Sequence, residues 1–251
     1  MYNFFIEENQ QFDNEYRITG SDFNHIKNVL RFKEGDKLLV SESGKTHLCQ
    51  IKNFTDQDVC CTVLVKDYCN MELPVTLALF QGLPKGDKLE LIIQKTVELG
   101  IHDVYPVEMK RSVVKIEEKK KASKRERWQA IAEAGAKQSK RNVIPTVHEP
   151  ITYKKAMELF KDFDLVIVPY ENKDGMQSTY KLLKDIKKGY KIAILIGPEG
   201  GFEDSEIDLA LNAGGQTCSL GNRILRTETA AICAVSMCML YTETVFETKP
   251  E

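Results

Sequence analysis

Two glycine-bearing stretches bring ionisable side chains to sharp turns: Gly197-Pro198-Glu199-Gly200-Gly201 inside LIGPEGGFEDSEI, and Gly221-Asn222-Arg223-Ile224-Leu225-Arg226 inside LGNRILRTETAA. The first has the outline of a phosphate cradle, an apolar run ending in glycines just ahead of a helix start. Its spacing is neither G-x-G-x-x-G nor G-x-x-x-x-G-K-[ST], the patterns whose backbone amides crowd a polyanion. Pro198 lacks the N–H that such a cradle needs, and the Glu199 carboxylate repels phosphate. A neutral or cationic ligand suits the loop better, which disfavours a nicotinamide-dependent dehydrogenase. In the second stretch Arg223 and Arg226 stand three apart on a turn. Thr227 then begins a helix with Glu228 in its first turn. A guanidinium beside such a loop is suited to steadying negative charge that develops on a substrate.

Both turns need strands to hold them. From Val75 the chain alternates apolar runs with helical periods. VTLALFQ reads as a strand covered on both faces. In KGDKLELIIQKTVELG the residues Leu89, Ile92, Ile93, Thr96 and Val97 recur at helical spacing before a stop at Gly100. DLVIVPY and KIAILIG add strands, and TETAAICAVSMCML reads as a helix that is apolar on nearly every face. This alternation predicts an α/β domain with a largely parallel sheet, whose ligands collect at the carboxyl ends of strands, where both turns lie. Ahead of Pro74 the text changes character. DKLLVSES, THLCQIKNF and DVCCTVLVKDY read as short strands of a small barrel, with a helix over DFNHIKNVLRFKEG. The expected domains are 1–72 and 73–251, in keeping with a length of 251 residues.

Composition narrows the class. A chain with 42% hydrophobic and 29% charged residues is an ordinary globular protein and has too much apolar content for a disordered one. No apolar run approaches the roughly 20 residues of a bilayer span, and MYNFFIEENQQFDNEY lacks the basic-then-apolar pattern of a secretion signal. A cytoplasmic location is expected, without membrane association. The seven cysteines include no C-x-x-C, and the four histidines are scattered, so structural thiols in a reducing compartment and no metal are expected. Charge is uneven despite a net value of −2: residues 109–142 hold twelve Lys or Arg against four Glu. A solvated helical face accounts for such a segment as readily as an RNA backbone does.

GPEGGFEDSEI and LGNRILRTETAA, taken in order with LPKGDKLELIIQKTVELG, RSVVK and AKQSKR, resemble the RsmE-type uridine N3 methyltransferases of small-subunit (16S) ribosomal RNA, in the SPOUT superfamily. HIKNVLRFKEGD resembles that family's N-terminal PUA-like RNA-binding domain, so the likeness covers almost the whole chain. The resemblance implies a trefoil-knotted parallel sheet flanked by helices behind a small PUA-like β-barrel. It also implies a homodimer, S-adenosylmethionine as methyl donor, and small-subunit RNA as substrate, within assembled 30S particles. Carried over by position, the donor pocket would comprise Glu171, Ile196, Gly197, Pro198, Glu199, Gly200, Gly201, Leu220, Gly221, Ile224, Leu225, Arg226 and Thr229. Arg226 would stabilise the uracil anion and Glu199 would serve as proton acceptor, with Glu228 as the alternative. RNA contacts would come from Arg31, Lys85, Arg111, Gln138, Arg141 and Arg223. One departure stands out: Asn3 precedes Phe4 and Phe5 where the family commonly has arginine. The alternative to the enzyme is a non-catalytic RNA-binding protein of ribosome assembly, in which the basic segment acts and the glycine loops are only turns.

Overall fold

A computed structural model describes residues 1–12, 14–170 and 175–246. The chain forms two compact units, Met1–Glu72 with Ala136–Ile144, and Leu73–Gly135 with Pro145–Glu251. Residues 136–144, expected in the second domain, thus cluster with the first.

The first unit is built on strands β1 (Asn3–Phe5), β2 (Gln11–Phe12), β3 (Glu15–Thr19), β4 (Lys37–Glu42), β5 (Lys45–Phe54) and β6 (Asp58–Cys69). Their order is β1-β4-β5-β6-β3-β2, antiparallel except for β1 beside β4. Three register shifts between β5 and β6 bend the sheet, which curls into a half-barrel. Phe4, Tyr16, Ile18, Leu38, Val40, Cys49, Ile51 and Val59 fill its concave core. Ile26, from the π-turn His25–Val29 that continues helix α1 (Gly20–Asn24), plugs the same core.

Asn3 is buried in this unit. Its Nδ2 donates to the Arg141 carbonyl at 2.9 Å, and its Oδ1 accepts from Ser41 Oγ at 3.0 Å. The asparagine at the departing position is therefore a structural bridge between β1, β4 and the 136–144 segment.

The second unit holds a parallel sheet of β7 (Thr76–Gly82), β8 (Asp103–Glu108), β9 (Thr146–Val147), β10 (Ile151–Thr152), β11 (Leu165–Pro169), β12 (Lys191–Ile196) and β13 (Gly215–Cys218). The order is β10-β8-β7-β12-β11-β13, with β9 also pairing β8. Its helices are α2 (Lys88–Glu98), α3 (Glu118–Ser139, whose last turn belongs to the first unit), α4 (Tyr153–Leu159), α5 (Met176–Lys184), α6 (Asp204–Asn212) and α7 (Thr227–Phe246). One face of the sheet buries Ala78, Phe80, Val166, Val168, Ala193 and Leu195 under α4 and α6. The other buries Leu77, Leu79, Ile192 and Ile194, and on that side α7 packs against β7, β12 and α2. Both faces are covered, which is why these strands read as continuous apolar runs. β12 lies between β7 and β11 although it follows both in sequence, so the strand order reverses there and opens a crevice at the carboxyl ends.

The α2 stripe forms as its spacing predicts: Leu89, Ile92, Ile93, Thr96 and Val97 are all buried. Gly100 then turns the chain with φ +97°, where a Cβ would meet Leu73 at 2.6 Å. α7 corrects one expectation. Its 20 residues, with a mean hydropathy of 1.4 over 18 of them, do reach membrane-spanning length and composition. Ala231, Ala234, Val235 and Cys238 of that helix are nevertheless buried within the second unit.

Candidate functional site

The two glycine loops are shaped by packing that tolerates little else. β12 ends at Ile196, and the chain turns through Gly197-Pro198 against the end of β7. A Cβ on Gly82 would lie 2.6 Å from both N and Cδ of Pro198, so glycine there lets the two backbones meet. Gly201 takes φ +69° on the way into α6. That helix opens with a capping box between Glu203 and Glu206. Glu206 is 2% exposed, and its carboxylate is satisfied by the N–H groups of Glu203 (3.0 Å) and Lys110 (2.9 Å).

The second loop leaves β13 at Cys218. Thr179 Oγ1 grips it, donating to the Ser219 carbonyl at 2.6 Å and accepting from Ser219 N–H at 3.0 Å. Gly221 follows in a left-handed conformation, φ +104°. Thr227 begins α7 as expected, and its hydroxyl donates to the Gly197 carbonyl at 2.6 Å and so ties the second loop to the first.

Between the loops lies a cleft of about 610 Å³. Ile196, Gly197, Pro198, Glu199, Gly201, Leu220, Gly221, Arg223, Ile224, Leu225 and Arg226 all line it, as do the unanticipated Tyr170, Phe202, Cys218 and Ala230. Gly200 and Thr229 do not line it. Gly200 instead backs onto Arg111, whose Cβ would lie 2.9 Å from a Cβ at 200. Glu171 lies outside the described residues. The lining is largely apolar with backbone groups, and burial pushes the Cys218 thiol up to about 12, so it is no nucleophile at neutral pH. A cleft so lined suits a nucleoside carrying a cationic sulfonium, and its proline and glutamate make it unsuited to a polyphosphate.

Electrostatics separate the two catalytic candidates. Glu199 Oε1 accepts from Lys88 Nζ at 2.8 Å and from the Lys85 N–H at 3.1 Å. Partial burial alone would raise the carboxyl, but these bonds outweigh it and hold Glu199 below the usual glutamate value. Glu199 is thus an ion-paired loop anchor, which makes it poorly suited to the proton-acceptor role expected of it. Glu228 Oε2 lies 3.5 Å from the same Nζ, within ion-pair range but without hydrogen-bond geometry. Arg226 is exposed at the cleft and has no side-chain partner among the described residues.

The expected RNA contacts divide. Arg111 is exposed and its Nη1 donates to the Gly200 carbonyl at 3.2 Å, so with Lys85 it flanks the first glycine loop. In the first unit, Arg31 is exposed with φ +55°, and Gln138 is exposed on the last turn of α3. Arg141 is a correction. It is 2% exposed and its guanidinium clasps Glu72, with Nε 2.8 and 3.0 Å from the two carboxylate oxygens, so it has no face left for phosphate.

The basic segment is partly spent in the same way. Arg127 pairs with Glu90 at 2.8 Å, Lys121 with Glu118 at 2.9 Å, and Arg125 bonds the Val147 carbonyl at 3.1 Å, while Lys115 and Lys124 are exposed. Sequence reasoning also missed Gln81 and Lys88. The signal for Gln81 is its place as the one strongly polar side chain closing the apolar run VTLALFQ. Among the described residues no group of three His, Cys, Asp or Glu could hold a metal ion, and all seven cysteines are unbridged.

Comparison with known proteins places this geometry. The RNA methyltransferase domain profile matches residues 71–239, and the RNA methyltransferase PUA domain profile matches residues 18–64. The chain is 40% identical over 250 residues to the ribosomal RNA small subunit methyltransferase E of Bacillus subtilis, covering 97% of this chain and 98% of that relative. It is 32% identical to the protein of the same name in Mesomycoplasma hyopneumoniae, covering 95% and 99%. Among solved structures it is similar to a ribosomal RNA small subunit methyltransferase E of Neisseria gonorrhoeae bound to S-adenosylmethionine, with a TM-score of 0.80, 29% identity, and coverage of 94% and 95%.

Proposed function

The chain belongs to the ribosomal RNA small subunit methyltransferase E family, and we propose that it transfers a methyl group from S-adenosylmethionine to N3 of a uridine in small-subunit ribosomal RNA. The observation that carries this reading is the cleft between residues 197–202 and 219–227, tied shut at its base by Thr227 and lined by apolar and backbone groups. S-adenosylmethionine, when bound, supplies an electrophilic methyl on a sulfonium. Ile196, Gly197, Gly201, Leu220, Gly221, Ile224 and Leu225 are the residues that would hold it.

Uracil N3 keeps its proton at neutral pH, so as the N–CH3 bond forms and the S–CH3 bond of the donor breaks, the N3 proton leaves to solvent water and the protein must favour the anion that remains. The Arg226 guanidinium, at the cleft and without a side-chain partner among the described residues, stabilises the charge that develops on the uracil carbonyl oxygen. Lys88 and Glu199 hold the first loop in register, and Arg111, Lys85 and Arg223 guide the RNA backbone toward it. Arg31 and Gln138 add contacts from the first unit.

The same reading includes a trefoil knot around the cleft, a homodimer, and action on assembled 30S particles in the cytoplasm. Support for the dimer comes from α7, where Leu240 and Val245 are 58% and 52% exposed, and from Ile224, which is fully exposed. The test is calorimetric titration with S-adenosylmethionine, joined to mass-spectrometric mapping of methylated nucleosides in small-subunit RNA from a deletion strain. Donor binding with loss of one N3-methyluridine is expected. RNA binding without donor binding would favour a non-catalytic assembly protein.

A further inference from the structure

Gln81 sits at the carboxyl end of β7 with 0% exposure. Its Nε2 donates to Thr227 Oγ1 at 2.9 Å and to the Gly82 carbonyl at 2.9 Å, and Thr227 in turn donates its only hydroxyl proton to the Gly197 carbonyl at 2.6 Å. The direction of this relay is forced. The Gly82 and Gly197 carbonyls can only accept, so the Thr227 proton goes to Gly197, and the amide end facing both Thr227 and Gly82 must be the NH2. That assignment turns the Gln81 Oε1 the other way, where it is buried and has no hydrogen-bond partner among the described residues. A buried carbonyl oxygen left unmatched costs stability, a cost set against the two hydrogen bonds that Nε2 makes. A buried amide that tolerates one unmatched oxygen while both its N–H groups hold the Gly82 carbonyl and Thr227 is placed for what those bonds align.

We propose that Gln81 is a positioning residue for the methyl-donor cleft: acting through Thr227, it fixes the Gly197 carbonyl and thereby sets the separation of the two glycine loops. The proposal rests on the methyltransferase reading above, because the loops it aligns are the walls of that cleft. Gln81 does not itself line the cleft, whereas Gly197 and Thr227 do. Freed from Gln81, the Thr227 hydroxyl can rotate away from Gly197, and the first loop loses its link to the start of α7.

The test uses the full chain with Gln81→Met, which keeps the length of the side chain and removes both donors. Three quantities are read: the thermal midpoint, the S-adenosylmethionine dissociation constant and KM against kcat, and amide hydrogen exchange over residues 197–202 and 220–227 without ligand. The expected result is a dissociation constant and KM raised about tenfold and faster exchange in both loops, beyond any change in midpoint. A lower midpoint with unchanged donor binding would mean that Gln81 serves packing only, and would overturn the proposal.

Thr227→Val, which lacks the hydroxyl, should reproduce the effect. Thr227→Ser, which keeps it, should restore parental binding, and combining Gln81→Met with Thr227→Val should add nothing further. If Gln81→Met does not fold, parental donor binding in Thr227→Val refutes the relay. If the parent itself binds no S-adenosylmethionine, the functional reading fails, and the exchange data alone decide the relay: unchanged exchange in Gln81→Met refutes it.

Discussion

Arg141 and Glu72, 69 residues apart in sequence, form a clasp within the first unit: the guanidinium is 2% exposed and donates to both oxygens of the carboxylate. Arg141→Ala would strand the Glu72 charge, and it should destabilise the protein by about 3–5 kcal/mol, as loss of one partner of a buried pair does. The measurement is urea unfolding followed by far-ultraviolet dichroism. A variant as stable as the parent but weakened in RNA binding would return Arg141 to the RNA surface.

That clasp marks the limit of what the sequence discloses. Period and composition located β7, β11, β12, the α2 stripe and both glycine loops, because those signals are local, and passed over β8 and the two-residue β9 and β10. Arg141 reads as one more cation of a basic run, since nothing near it announces Glu72. Glu199 reads as a proton acceptor for the same reason, its partner Lys88 lying on another element. The 136–144 segment joins the first unit through Asn3 and Glu72, contacts that no window of sequence spans.

Gly82→Ala should be costly although alanine is small. The added Cβ would stand 2.6 Å from backbone N and ring Cδ of Pro198 and 2.9 Å from Met109 Sδ, and the proline cannot yield as a flexible side chain would. Destabilisation of about 1–3 kcal/mol is expected, together with weaker donor binding. Thermal unfolding and calorimetry on one preparation check both, and an unperturbed variant would show that the strand end relaxes freely.

Lys88→Met should change the titration of Glu199. In the folded protein this carboxyl is held below its ordinary value, so its contribution to stability is present above the unfolded glutamate pKa and is lost as pH falls through the folded value. Lys88 is raised by its hydrogen bond to Glu199, so its contribution is present below the unfolded lysine pKa and is lost as pH rises through the folded value. Between those limits the pair is fully charged. Removing the lysine leaves burial, which raises the carboxyl, less opposed, and Glu199 should titrate at higher pH by carbon-13 NMR. An unmoved titration would assign the depression to the backbone amides alone.

Arg226→Ala and Arg111→Ala should separate chemistry from docking. Loss of Arg226 should lower single-turnover methylation of small-subunit particles by about 100-fold or more with RNA affinity little changed, because its interaction is realised in the transition state. Loss of Arg111 should reduce RNA affinity and flatten its salt dependence by about one unit of slope. Normal turnover in Arg226→Ala would remove that residue from the chemistry.

Light scattering at micromolar concentration should give twice the 28.6 kDa chain mass, and Leu240→Glu on the exposed side of α7 should lower it. A parent that stays at 28.6 kDa leaves α7 uncovered and refutes the homodimer.

The excursion of residues 136–144 into the first unit also has a consequence in time. The ribosome delivers Met1–Glu72 first, yet the partner of Glu72 is Arg141, and the roughly 70 intervening residues take about 4–14 s to synthesise at about 5–20 residues per second. Throughout that interval the nascent half-barrel carries an unmatched carboxylate and lacks the carbonyl to which Asn3 donates. Its completion is therefore clocked by translation of α3, and a stop or a slow codon cluster ahead of Arg141 leaves the nascent N-terminal unit open.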